Sequence, residues 1–163
     1  MQFNANSHKI IKTHLKIINV VDGDGLIVSD IFTKEEEEIR LLGIDAPEIK
    51  KCRKLRQDER ETHIPGELLM HLGRLSHKFL IDIARRGETV TIELEKEYAH
   101  DFYGRTLAYV YLQDGTCIND KMIKEGFAKP YNEYFCRELP NYQLLNVKAK
   151  KKKRGLYKLV KTF

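Results

Sequence analysis

The hydrophobic residues of this chain fall into short runs with two different periods. Residues 10–21 are rich in Ile and Val, the run breaks at Asp22-Gly23-Asp24-Gly25, and Leu26, Ile27 and Val28 resume it. Two such runs about a Gly/Asp turn predict a β-hairpin. Acidic residues 35–38 read as a solvated tip, and residues 39–44 predict a third strand, stopped at Asp45-Ala46-Pro47 because proline cannot donate to a ladder. Residues 50–62 are almost continuously polar and predict an exposed, mobile loop. Beyond Pro65-Gly66, Leu68, Leu72, Leu75, Phe79 and Ile83 recur at steps of three and four, the spacing of a helix with one apolar face, ended by Gly87. Val90, Ile92 and Leu94 alternate with polar residues, and Leu107, Tyr109 and Tyr111 are spaced likewise, predicting a fourth and a fifth strand. Asp114-Gly115 marks a turn, a short helix over 118–125 stops at Gly126, and a last helix over 140–154 stops at Gly155.

Five short strands with helices inserted and appended make a mainly β fold with α, compatible with a partly open Greek-key barrel of the class that includes oligonucleotide-binding (OB) folds. At 163 residues, 42% hydrophobic, the chain suits one core, and no repeat or linker divides it, so residues 1–163 are expected to form one domain. Charge narrows the partners only slightly. The 29 Lys and Arg against 24 Asp and Glu give a net +5, which favours polyanions without specifying chemistry. Cys52, Cys117 and Cys136 are odd in number and form no C-x-x-C pair, which indicates neither a zinc site nor a complete disulfide framework. No segment is apolar for long enough to span a membrane, and residues 1–8 lack the apolar stretch of a signal peptide. A soluble protein is expected, cytoplasmic unless a leader has been removed, in which case extracellular or periplasmic.

Asp24, Asp45 and Glu48 are the first candidates for chemistry. Two of them end strands that would be neighbours in such a barrel, where carboxylates can converge on a hard cation such as calcium or magnesium. The same letters also serve a hairpin turn and a strand end facing water. Arg40 and Arg105 form a second pair, because a guanidinium fork matches a phosphate; each could equally be a surface residue. The basic run 148–154 suits the dipole of a helix end. No H-E-x-x-H pair, Walker loop or G-x-S-x-G elbow is present.

Taken in order, Val21-Asp22-Gly23-Asp24, then Ile39-Arg40-Leu41-Leu42-Gly43-Ile44-Asp45-Ala46-Pro47-Glu48, and then Asp101-Phe102-Tyr103-Gly104-Arg105-Thr106-Leu107-Ala108-Tyr109-Val110 resemble the staphylococcal nuclease (thermonuclease) family. The likeness runs from about His14 to the closing region 149–157. It implies a five-stranded OB-type barrel with three helices, and a calcium-dependent endo- and exonuclease that acts on DNA and RNA and leaves 3′-phosphate ends. By the same resemblance Asp24, Asp45 and the backbone carbonyl of Ala46 would hold Ca2+, with Asp22 supporting the site. Glu48 would orient or deprotonate the attacking water, Arg40 and Arg105 would clamp the scissile phosphate, and Tyr103 would contact the nucleotide. Tyr131 and Tyr134 align only loosely with the family's other nucleotide-binding tyrosines. Two departures stand out: Ala46 replaces the threonine of the best-known member, and the segment 49–65 is longer and differently composed. A monomer is expected. One rival reading is a non-catalytic nucleic-acid- or protein-binding module of the same fold, which typically lacks the site. Another is a restriction-type D…E-x-K nuclease, for which Asp45 and Glu48 stand too close.

Overall fold

A bent first long strand allows the sheet to close. The computed structural model describes residues 8–163 together with the backbone of a short strand β1, Gln2–Phe3. The expectation of no signal peptide falls mostly on residues outside those described. Strand β2, Lys9–Val20, changes register between Lys12 and Leu15, where His14 takes a left-handed φ of 60°. That conformation is uncommon outside glycine. Here Thr13 Oγ1 meets His14 Nδ1 at 2.8 Å, and the ring packs on Phe32 with centroids 5.4 Å apart.

The bend lets β2 border two strands. It pairs with β3, Gly25–Asp30 (Val20 opposite Leu26), and over residues 9–16 with β6, Thr89–Glu95 (Ile10 opposite Leu94, Leu15 opposite Val90). Strand β4, Glu36–Leu41, pairs antiparallel with β3 and parallel with β7, Thr106–Leu112, while β6 pairs with β7. The order β2-β3-β4-β7-β6 therefore returns to β2. The barrel is closed rather than partly open. Closure removes the free edges that would otherwise invite association. Alternate residues of its strands, among them Leu26, Val28, Val90, Ile92, Leu94 and Tyr109, fill the interior, as the period of two predicts.

Four expectations need correction. The third strand does not run through to residue 44: it ends at Leu41, Gly43 turns at φ 78°, and β5, Ile44–Asp45, joins a separate two-stranded sheet with β8, Lys129–Pro130. The segment 50–62 is not a loop, because Arg53–Thr62 forms helix α1. With α2, Gly66–Ile83, α3, Ile118–Lys124, and α4, Leu139–Lys151, the described residues hold four α-helices rather than three. The buried face of α2 is also broader than the expected stripe: Leu72 is buried and Leu75, Phe79 and Ile83 pack partly buried as expected, but Leu68 is exposed, and Leu69, Ser76 and Leu80 are buried besides.

Helix α2 spans two cores. Leu80 packs into the barrel, and Leu69, Met70 and Leu72 join Leu55 of α1 with Ala149, Leu156, Tyr157 and Phe163. Pro65 offers no side-chain cap, and Glu59 of α1 supplies the acceptor instead, its Oε1 taking the Gly66 N–H at 2.6 Å. The three cysteines are free thiols, as the sequence suggested. No helix among the described residues is long and apolar enough to cross a membrane.

Candidate active site

The turn between β2 and β3 presents Asp24 inward. Asp22 Oδ1 accepts from the Asp24 N–H at 3.1 Å, the local bond that makes aspartate a turn residue. Gly23 is required by space: a Cβ there would lie 2.6 Å from the Cβ of Ala46 and 2.9 Å from that of Ser76. The turn is thereby pressed between β5 and α2.

On the opposite wall, Asn119 secures the break after β4. It is fully buried, its Nδ2 donates to the carbonyls of Leu42 and Ala108 at 3.0 Å each, and its Oδ1 accepts from Val110 N at 3.0 Å. With Leu42 held, Ile44 and Asp45 emerge beside Arg40.

Asp24, Arg40 and Asp45 then meet as a buried triad. Arg40 Nη1 pairs with Asp24 Oδ1, and Nη2 reaches Asp45 Oδ1 at 3.3 Å and the Ile44 carbonyl at 3.4 Å. The other oxygen of Asp24 accepts from Ala46 N at 2.9 Å. Burial opposes the charge on Arg40, but Asp24 and Asp45 outweigh it and hold the guanidinium protonated beyond its ordinary range. Burial alone would raise Asp24. Arg40, the Ala46 N–H and Lys54 reverse this and leave its carboxyl below the usual value. For Asp22, burial and the charge of Asp24 outweigh the Asp24 N–H and Arg40 and push it up to about 6.

Glu48 stands half-buried at the rim, raised by burial and by Asp24 against the pull of Lys54. Its backbone is fixed from behind, since Gly73 of α2 lies so close that a Cβ would sit 2.6 Å from the carbonyl oxygens of both Pro47 and Glu48. Gly73→Ala is therefore expected to cost about 1–3 kcal/mol of stability through overpacking, read as a lowered unfolding midpoint in urea. An unchanged midpoint would mean that α2 and residues 47–48 can part freely.

Arg105 is placed by a different route. Asp101 Oδ1 accepts from the backbone N–H of Tyr103 and of Arg105, both at 2.9 Å, and Asp101 Oδ2 takes Arg105 Nε at 2.7 Å. Among the described residues its terminal nitrogens have no hydrogen-bond or ion-pair partner. Because Thr106 pairs with Ile39 and Leu107 with Arg40, Arg105, in the loop just before β7, lies beside the strand that carries Arg40, although it is bound to Asp101 rather than to the carboxylate triad. Tyr103 is 85% exposed beside Phe102 at 88%, and the Arg105 guanidinium lies 5.7 Å from the Tyr103 ring centre.

The structure thus joins Asp24, Arg40, Asp45, Ala46 and Glu48, with Arg105 and Tyr103 on an adjoining loop. It adds Lys54, which the sequence did not single out, and places Tyr131, aligned only loosely there, beside Arg40. Lys54 Nζ lies 2.9 Å from Asp45 Oδ1, 3.2 Å from Glu48 Oε1 and 3.6 Å from Asp58 Oδ2. Burial lowers its basicity, yet Asp45 and Glu48 more than restore it and hold the ammonium charged. Tyr131 places its ring centre 5.4 Å from the Arg40 guanidinium. A signal for Lys54 existed: residues 53–62 contain no Gly or Pro, favour helix, and set Lys54 four before Asp58.

The sequence profile described as staphylococcal nuclease homologue matches residues 38–159. The chain belongs to the staphylococcal nuclease homologue family. Among relatives within or beside this family, an uncharacterized endonuclease of Escherichia coli O157:H7 is 33% identical over 144 residues, covering 88% of this chain and 76% of that protein. Endonuclease YncB of Bacillus subtilis is 30% identical over 123 residues, 72% of this chain and 50% of its own length. A thermonuclease of Staphylococcus hyicus is 32% identical over 117 residues, 70% of this chain and 57% of its own length. In this staphylococcal nuclease homologue the matched region takes in Arg40, Asp45, Glu48, Lys54 and Arg105, while Asp24 precedes it.

Proposed function

We propose that this staphylococcal nuclease homologue is a calcium-dependent nuclease that hydrolyses phosphodiester bonds of DNA and RNA and leaves 3′-phosphate ends, acting as a one-domain monomer. The observation that carries the reading is the buried Asp24–Arg40–Asp45 triad with Glu48 half-buried at its rim. Relatives named endonuclease and thermonuclease support it.

The residues fit a hard divalent cation by their chemistry. Asp24, Asp45 and the Ala46 carbonyl are all oxygen donors, the class calcium prefers, and the four acids Asp22, Asp24, Asp45 and Glu48 exceed the two cations Arg40 and Lys54. A bound calcium ion would neutralise part of the charge on the phosphate. The protein groups do the rest. Arg105, anchored by Nε, has both terminal nitrogens for a phosphate oxygen. Arg40 shares its fork between the carboxylates and the substrate. Glu48 accepts the proton of the attacking water, a role its raised carboxyl suits by making it the better base. Exposed Tyr103 offers a face for a base.

The test is hydrolysis of single-stranded DNA and of RNA at mildly alkaline pH with calcium, with magnesium and with chelator, followed by analysis of the ends. Calcium-supported cleavage of both, stopped by chelator and leaving 3′-phosphates, is the expected result. Full activity in excess chelator would refute the metal dependence, and tight binding without cleavage would make the protein a binding module.

A further inference from the structure

Helix α1 brings a cation of the chain's own into the carboxylate site. The helix is fixed at three points: Cys52 Sγ accepts from Leu55 N at 3.4 Å at its start, Leu55 is buried in the second core, and Glu59 holds Gly66 N at 2.6 Å. From this platform Lys54 extends its ammonium to 2.9 Å from Asp45 and 3.2 Å from Glu48. The nitrogen is sealed from solvent yet has no well-directed hydrogen bond, so charge rather than bond geometry keeps it there. Among the described residues no three acidic, histidine or cysteine groups form a ready-made metal cage.

We propose that Lys54 is a tethered counter-ion that occupies the carboxylate site in the resting protein and must swing out before a divalent cation binds, so that α1 sets the cation concentration at which the site loads. This rests on the metal reading above. A monovalent head held by attraction alone is replaceable by an ion of twice its charge that takes oxygen ligands directly. The flexible four-carbon stem lets the head leave while α1 stays in place. Asp58, 3.6 Å from Nζ and less buried than Asp45, offers the displaced head a partner on its own helix. Lys54 is thus a positioning residue that acts through the metal ligands.

Calorimetric titration of calcium chloride into the nucleic-acid-free protein tests this. Lys54→Met is expected to bind calcium about tenfold more tightly than wild type, whereas Lys54→Arg, which keeps the charge, gains no affinity. The wild-type protein supplies a measurement independent of any variant: acylation of Lys54, read by mass spectrometry, is expected to be slow without calcium and faster with it. Equal calcium affinity in Lys54→Met, equal tightening in Lys54→Arg, or labelling indifferent to calcium would overturn the inference and leave the nuclease reading standing. No calcium binding by wild type or Lys54→Met would overturn both.

Discussion

Arg40→Ala is expected to remove activity and a large share of stability together. Its guanidinium pairs with two buried carboxylates, Asp24 and Asp45; Asp45 keeps Lys54, but among the described residues Asp24 has no other ion-pair partner. Deleting one partner of a buried ion pair costs about 3–5 kcal/mol, because the remaining charge is stranded. Activity should fall roughly a hundredfold or more, since a donor aimed at developing phosphate charge is lost. The two effects have separate causes and can be separated. Adding Asp24→Asn to Arg40→Ala neutralises the stranded charge while its amide oxygen can still accept from Ala46 N, so the urea midpoint should recover in part and the turnover should not. An Arg40→Ala protein with a wild-type midpoint would show that the carboxylates are not dependent on it.

Glu48→Gln is expected to behave in the opposite way, with a fall in turnover of about a hundredfold to ten-thousandfold and little change in stability. Glu48 stands at the rim with its side chain 29% exposed, and burial already disfavours its charge, so an uncharged isostere gains some desolvation energy as it loses the contact with Lys54. The backbone at 47–48 is clamped by Gly73 regardless of the side chain. Parallel measurement of turnover and of the urea midpoint decides the matter. A folded Glu48→Gln protein with near-wild-type turnover would assign the proton transfer to another group.

The same distinction between local and tertiary causes explains what could be read from the letters. The barrel strands were legible because Val90, Ile92 and Leu94, or Leu26 and Val28, obey a period that burial on one face imposes. Closure was not, since it depends on the left-handed conformation of His14, to which hydrophobic pattern is blind. The break at Gly43 was hidden because Leu42 and Ile44 are apolar on both sides of it. Helix α1 was taken for a loop because Leu55 is its one hydrophobic residue, too little for a periodic signal. The buried face of α2 extends beyond the predicted stripe because it includes Gly73 and Ser76, whose small size serves close approach to residues 47–48 and to the Gly23 turn. Asp24, Asp45 and Glu48 were legible as turn and strand-end acids, whereas Arg40, inside a strand, was drawn in by the guanidinium's match to phosphate and by the resemblance of its motif. Lys54 and Tyr131 reach the cluster only through tertiary packing, and no local spacing ties them to it.

The parallel pairing of β4 with β7 bears on how the chain acquires its properties in time. Ile39 and Thr106 become partners only after α1, α2 and β6 have been threaded between them. Contacts that close so long a loop form late, and folds dominated by them reach the native state in milliseconds to seconds rather than microseconds. A nascent chain that ends before β7 carries Arg40 without the parallel strand beside it. Arg40 and Arg105 therefore reach their native spacing only when β7 pairs with β4, at barrel closure.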